Sequence, residues 1–148
     1  MDMTEEQRQE YYAKLMHYIN CARGYARYSG ITVTKVAPDY CEGELEITPD
    51  NVNYLKIVHG GCLATLADTV AGIAACSTGM GTVTINYGFS FLRQARGKKI
   101  RCIAEPEKAG RKIKVFRCSL FDDDGELVAS GQFTFYMTGP LVLPDIDE

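Results

Sequence analysis

The fold this sequence predicts is α+β: an antiparallel β-sheet wrapped around one long central helix, with an extra helix at the N-terminus. Three observations predict it. The run from His59 to Met80, HGGCLATLADTVAGIAACSTGM, is nearly all apolar or small. In it Leu63, Leu66, Val70 and Ile73 recur at steps of three and four, one face of a helix. Before this run, from Ile31, and after it, from Thr82, the hydrophobic period falls to two, and Gly- or Asp-containing turns separate the stretches.

The elements follow in order. Thr4 and Gln7 have the form of a capping box, and Tyr11, Leu15, Tyr18 and Ile19 carry a helical stripe to about Ala22. This helix is expected on the rim of the domain, with Gly24 and Gly30 breaking the segment CARGYARYSG. Next, Ile31, Val33 and Lys35 alternate with Thr32, Thr34 and Val36, and Pro38-Asp39 makes a turn. From Cys41 to Thr48, Leu45 and Ile47 lie on one face and Glu42, Glu44 and Glu46 on the other, a hairpin with one solvated face. Residues 48–58 form a loop leading into His-Gly-Gly.

In the central helix Ala64, Ala67, Ala71, Gly72, Ala74 and Ala75 keep the remaining faces thin, so a sheet can close tightly on it; Gly79 and Gly81 end it. Residues 82–92 then place Val83, Ile85, Tyr87, Phe89 and Phe91 on one face and Thr84, Asn86, Gly88 and Ser90 on the other. Three further strands follow, at about 98–107, 112–121 and 127–138, with turns at Arg96-Gly97, Ala109-Gly110 and Asp122–Gly125. There are no repeats and no linker. The divisions read from this are 1–29, N-terminal helix and connection; 30–138, the main domain; and 139–148, a loose tail with Pro140, Pro144 and an acidic end.

A chain of 148 residues is one domain with enough length for a real core. A net charge of −3 with scattered signs argues against a nucleic-acid binder, which presents a basic face. The central run is about long enough to span a membrane. A charged residue at mid-helix costs roughly 2.5–3.5 kcal/mol there, and Asp68 sits near the centre, so no membrane role is expected. The N-terminus, MDMTEEQRQEYY, is acidic and polar where a secretory signal is basic and then apolar. The six cysteines make no CxxC pair, and with only His17 and His59 beside them no metal site is expected. They read as reduced thiols packed as small hydrophobes, in a cytoplasmic protein.

Asp68 stands apart as the one side chain between Gly60 and Met80 that is charged at neutral pH. A carboxylate in such surroundings is unfavourable unless paired, hydrogen-bonded or used. It either caps or salt-bridges a core helix, or it does chemistry. The backbone N–H groups at the helix start lack intrahelical partners and sit at the positive end of the helix dipole, and glycines at 60 and 61 let a carbonyl come close.

The arrangement Asn53, then His59-Gly60-Gly61, then Leu66-Ala67-Asp68 resembles the hot-dog fold acyl-CoA thioesterases, specifically the PaaI-like group. In that family the His lies six positions after the Asn and an acidic residue on the helix lies nine positions after the His, the spacings found here. The stretches TINYGFSFLRQA and EPEKAGRKIKVFRCSLFDDDGELVASG are similar to the family's later strands, and the likeness covers roughly residues 30 to 138. The family commonly has Gly midway between the Asn and the His. Lys56 stands there in this chain, and since a Lys takes positive φ less readily, the loop carrying Asn53 is expected to run differently.

The resemblance implies hydrolysis of an acyl-CoA thioester. Gly60 would give its N–H to the oxyanion, and Asp68 would act as base or nucleophile. His59 would orient the thioester or merely hold the loop, and Thr84 would position water or Asp68 or be an ordinary strand residue. Gly61 and Tyr87 would contact substrate, with the acyl pocket lined from the helix and the strand of Tyr87 and Phe89. Arg93, Lys108, Arg111 and Lys112, on turns and strand ends, would suit the phosphates of coenzyme A, or else form a solvated surface. Cys62 beside His59 suggests a Cys–His nucleophile, but a small core thiol is the favoured reading. No cofactor is implied, coenzyme A being part of the substrate. The family also implies a homodimer with shared active sites, with dimers pairing again. The non-enzyme alternative is a hot-dog acyl-CoA binding or sensor protein; the dehydratase alternative lacks its usual His-containing strand-to-helix motif with a helix Glu.

Overall fold

A computed structural model describes residues 2–144. Helix α1 (Glu5–Cys21) and a short α2 (Tyr25–Tyr28) precede β1 (Ile31–Ala37) and β2 (Tyr40–Glu46). The central helix α3 (Gly60–Cys76) follows, then β3 (Met80–Phe91), β4 (Lys99–Ala109), β5 (Ile113–Phe121) and β6 (Leu127–Pro140). All six strands form one antiparallel sheet in the order β1-β2-β4-β5-β6-β3, and every strand touches α3. The expected stripe of α3 is the buried one: Leu63, Leu66, Val70 and Ile73 all lie in the core. Gly43 of β2 lets the sheet close on it, for a Cβ there would lie 2.6 Å from Val70 Cγ2.

The capping box forms as read, with Thr4 Oγ1 accepting the Gln7 N–H and the Gln7 side chain accepting the Thr4 N–H. The buried face of α1 is shifted from the expectation. Tyr12 and Leu15 enter the core while Tyr18 is 41% exposed. Asn20 bonds both the N–H (2.8 Å) and the carbonyl (2.9 Å) of Val33, standing in for a strand partner on the β1 edge.

Two register shifts correct the strand faces. In β1, Val33 pairs with Gly43 and Lys35 with Glu42, leaving Thr34 as an extra residue; Lys35 therefore turns outward and Val36 into the core. In β3, Thr84 pairs with Phe135 and Asn86 with Thr134, leaving Ile85 extra. Thr84 thereby shares the helix-facing side with Tyr87, Phe89 and Phe91, while Val83 stays on the opposite face. The C-terminal segment also differs from a loose tail. Strand β6 continues to Pro140, and Leu141 and Leu143 pack against the core; residues 145–148 lie outside the described residues.

The last three carbonyls of α3 are each met by a side chain. Ser77 Oγ donates to Ala74 O, Lys114 Nζ to Ala75 O and Tyr11 Oη to Cys76 O. Gly79, at φ 88°, then reverses the chain into β3. Lys114 is buried, pairs with Asp39 and donates to Thr78 Oγ1, so a positive charge sits at the negative end of the helix. Burial pushes the Tyr11 phenol up to about 12. Replacing Lys114 by Met should destabilise the fold by roughly 3 kcal/mol, since Asp39 and two acceptors lose their partner. Thermal unfolding should show a Tm lower by roughly 6–12 °C; an unchanged Tm would show that the cap contributes nothing.

Candidate active site

The loop between β2 and α3 is organised by two asparagines. Asn53 Oδ1 accepts the N–H groups of Leu55 (2.9 Å) and Ile57 (3.4 Å), and the Asn53 N–H donates to Ile57 O at 2.8 Å. These bonds close a tight turn in which Lys56 takes φ 63°. Lys56 thus adopts the left-handed conformation that a glycine would take more easily, at a cost of order 1 kcal/mol, because the turn around it is over-determined. Asn51 is buried and donates to Ser29 O and Glu46 O, while its own carbonyl accepts the His59 N–H at 2.9 Å. It ties α2, β2 and the start of α3 together. Nothing local in the sequence marks Asn51, since its partners lie on three separate segments.

His59 is the N-cap of α3, and its Nδ1 accepts the Gly61 N–H at 2.9 Å. An accepting Nδ1 places the ring proton on Nε2, so the exposed imidazole presents a neutral donor. The Cys62 and Leu63 N–H groups bond His59 O. Among the described residues no acceptor meets the Gly60 N–H. One donor at the positive end of the helix is therefore free, and it is the one beside Phe91, whose ring lies against Gly60. Gly60, Asn53, Phe91 and Arg93 line a cleft of about 370 Å³.

Asp68 lies one side of α3 further round. It is half-buried, and Thr84 Oγ1 donates to its Oδ1 at 2.7 Å. That contact depends on the extra residue at Ile85, which puts Thr84 on the helix-facing side. Among the described residues Asp68 makes no salt bridge, so the reading of it as a salt-bridged core residue is not met. Its cleft, about 450 Å³, is lined by Tyr25, Gly61, Thr65, Thr84 and Tyr87 among others. Tyr87 is held flat by stacking on Phe133 at 4.8 Å, whereas Phe89 packs edge-on against Phe133 and Phe91. Cys62 is buried, and burial pushes its thiol up, away from the thiolate a nucleophile needs.

The structure does not bring all the candidate residues together within one chain. Gly60 and Asp68 are eight residues apart, which separates their backbones by about 12 Å along the helix and about 80° around it. Arg93 stands at the Gly60 end, 3.6 Å from Glu126. Lys108, Arg111 and Lys112 are exposed at the other end of the sheet, beside the C-terminus of α3, where neighbouring Lys114 reaches Ala75 O. Tyr25, in the Asp68 cleft, belongs to the segment that the sequence presents as a connection, and its signal there is an aromatic residue without helical or strand period. No group of three or more His, Cys, Asp or Glu side chains that could hold a metal occurs among the described residues, and no helix there is long and apolar enough to cross a membrane.

Residues 55–129, just over half of the chain, match the thioesterase superfamily. The chain belongs to that superfamily. This thioesterase is a thioester hydrolase on the hot-dog fold. It is 27% identical over 121 residues to human acyl-coenzyme A thioesterase 13, covering 78% of this chain and 86% of that one. The E. coli PaaI protein from the phenylacetic acid degradation operon superposes with a TM-score of 0.76 at 22% identity, covering 80% of this chain and 86% of that chain. A Streptococcus mutans UA159 protein solved with acetyl-CoA also superposes with a TM-score of 0.76, at 21% identity, over 84% of this chain and 99% of that chain.

Proposed function

We propose that this thioesterase hydrolyses acyl-CoA in sites shared between two chains, Asp68 of one chain acting as base or nucleophile and the Gly60 N–H of the other receiving the oxyanion. The observation that carries this is the split of the site. The free Gly60 donor and the Thr84-held carboxylate open onto different clefts of one chain, too far apart for a single thioester. The attacking atom must come within about 3–3.5 Å of the carbonyl carbon. A two-fold axis between antiparallel copies of α3 brings Gly60 of one chain beside Asp68 of the other.

The edge of the sheet supports that pairing. Strand β3 ends the sheet, with no partner on its outer side among the described residues, and Val83, Ile85, Tyr87 and Phe91 on it are about half exposed. Such an edge invites a second strand. The same antiparallel arrangement brings Arg93 of one chain to the end of the sheet that carries Lys108, Arg111 and Lys112 in the partner. Four cations scattered in one chain thus converge on the mouth of a shared site, where coenzyme A phosphates would bind. His59 offers its Nε2–H to the thioester, and Thr84 holds one Asp68 oxygen so that the other faces the carbonyl or a water. Asn53 shapes the loop behind Gly60. The reaction uses a carboxylate and fixed donors and requires no cofactor. In the assembly the dimers pair again into a tetramer, and the unpaired thiols suit the cytoplasm.

A thiol-release assay across short, medium, long and aromatic acyl-CoAs tests the reading. Turnover of at least one class is expected; tight binding without thiol release would make the protein a sensor. Binding should also weaken as salt rises. Substituting Arg111 and Lys112 together should raise KM several-fold while kcat changes little, the mark of binding lost equally in ground and transition states. An unchanged KM would assign both residues to the solvated surface.

A further inference from the structure

We propose that Tyr25 is the specificity-determining residue for acyl length, its ring closing the end of the acyl pocket so that short chains are preferred. This rests on the acyl-CoA reading above and adds to it a residue outside the matched region, 55–129. With the coenzyme A phosphates at the cations near the C-terminal end of α3, the acyl group on the other side of the thioester carbonyl takes the cleft of Asp68, which extends toward the helix start at Gly61. Tyr25 and Gly61 line this cleft of about 450 Å³ and also a second one, of about 310 Å³, that holds His59 and Asn51. They are the lining residues common to both, so the two clefts meet at Tyr25 and Gly61. Gly61 cannot be trimmed. Tyr25 can.

The placement of the ring is built into the fold. The C-terminal end of α2 is anchored where Ser29 O accepts from Asn51 Nδ2 at 3.2 Å, and Arg27 Nη1 donates to Cys21 O at 2.9 Å, tying α2 to the end of α1. Tyr25 itself is 68% exposed and contributes little to the core, so its ring can be removed without harming the fold. Beyond Tyr25, the second cleft is lined partly by Tyr28, Val52 and Cys62, surfaces against which a hydrocarbon chain can pack. Removing the ring joins the two spaces. Each further methylene that then finds room should tighten binding by about fourfold.

The test compares wild type, Tyr25→Phe and Tyr25→Ala. Non-hydrolysable thioether analogues of acyl-CoA from two to sixteen carbons are titrated by calorimetry, and the matching thioesters are assayed for thiol release. Wild type and Tyr25→Phe should share an optimum at short chains. Tyr25→Ala should move the optimum to longer chains by two or more carbons, with at least tenfold tighter binding of the longer analogue and unchanged affinity for the shortest. Superimposable profiles, or a uniform loss at every length, would overturn the partition. Wild type that binds the thioethers but releases no thiol would refute hydrolysis alone, the affinities still deciding the role of Tyr25. Failure of wild type to bind any acyl analogue would overturn both.

Discussion

Replacing Asp68 by Ala should lower kcat by roughly 10²–10⁴-fold or more, the range lost with a general base, and leave the fold intact. Asp68 is half-buried on the thin face of α3, away from the stripe that packs on the sheet, so its loss leaves no cavity in the core. What it loses is one hydrogen bond, from Thr84 at 2.7 Å. Asp68→Asn is the sharper variant. Its amide oxygen can accept the same Thr84 hydroxyl and fill the same volume, while the group that attacks or deprotonates is gone. It should therefore melt like wild type, bind an acyl-CoA thioether with wild-type affinity and turn over at the residual rate of Asp68→Ala. Thr84→Ala should fall between, because the carboxylate survives and only its orientation is freed. A normally folded Asp68→Asn protein with near-wild-type kcat would remove Asp68 from the chemistry.

Mixing two inactive proteins should restore activity. Asp68→Ala and His59→Ala chains, unfolded together and refolded, would form heterodimers at random. In each, one site would combine the intact loop of one chain with the intact carboxylate of the other, and the second site would carry both defects. With half the dimers mixed and one of two sites working, activity should return to about a quarter of the wild-type value. The physical basis is the helix itself: about 12 Å of axial rise and about 80° of rotation separate Gly60 from Asp68, and an Asp side chain cannot close that gap. Mass spectrometry or differential tagging would establish that heterodimers are present. Confirmed heterodimers without activity would place both groups of each site in one chain and refute the shared site.

The parts of this protein legible in its sequence are those set by local chemistry. The period of Leu63, Leu66, Val70 and Ile73 specifies the buried face of α3, because helical geometry ties spacing to direction. The Thr4–Gln7 capping box is likewise local, and both partners bond as read. The charge of Asp68 amid small apolar residues marks it as a group needing an explanation, whatever surrounds it. Faces of strands are less secure, for one extra residue reverses every side chain beyond it.

That is why alternation alone puts Thr84 on the face opposite Tyr87, while the structure puts the two together. The extra residue at Ile85 is decided by the register of β3 against β6, strands some fifty residues apart in sequence. Lys56 shows the same limit in a loop. Its type disfavours positive φ, but the bonds of Asn53 to Leu55 and Ile57 impose it. Lys114 reads as one more surface cation on a strand until Asp39, Thr78 and Ala75 O meet around it. Short-range periodicity and capping, which need no distant partner, specify the central helix, its glycine-rich start and the carboxylate on it. Which hydroxyl holds that carboxylate, which helix donor stays free, and that Tyr25 lines its cleft depend on contacts between segments that only the folded sheet brings within reach.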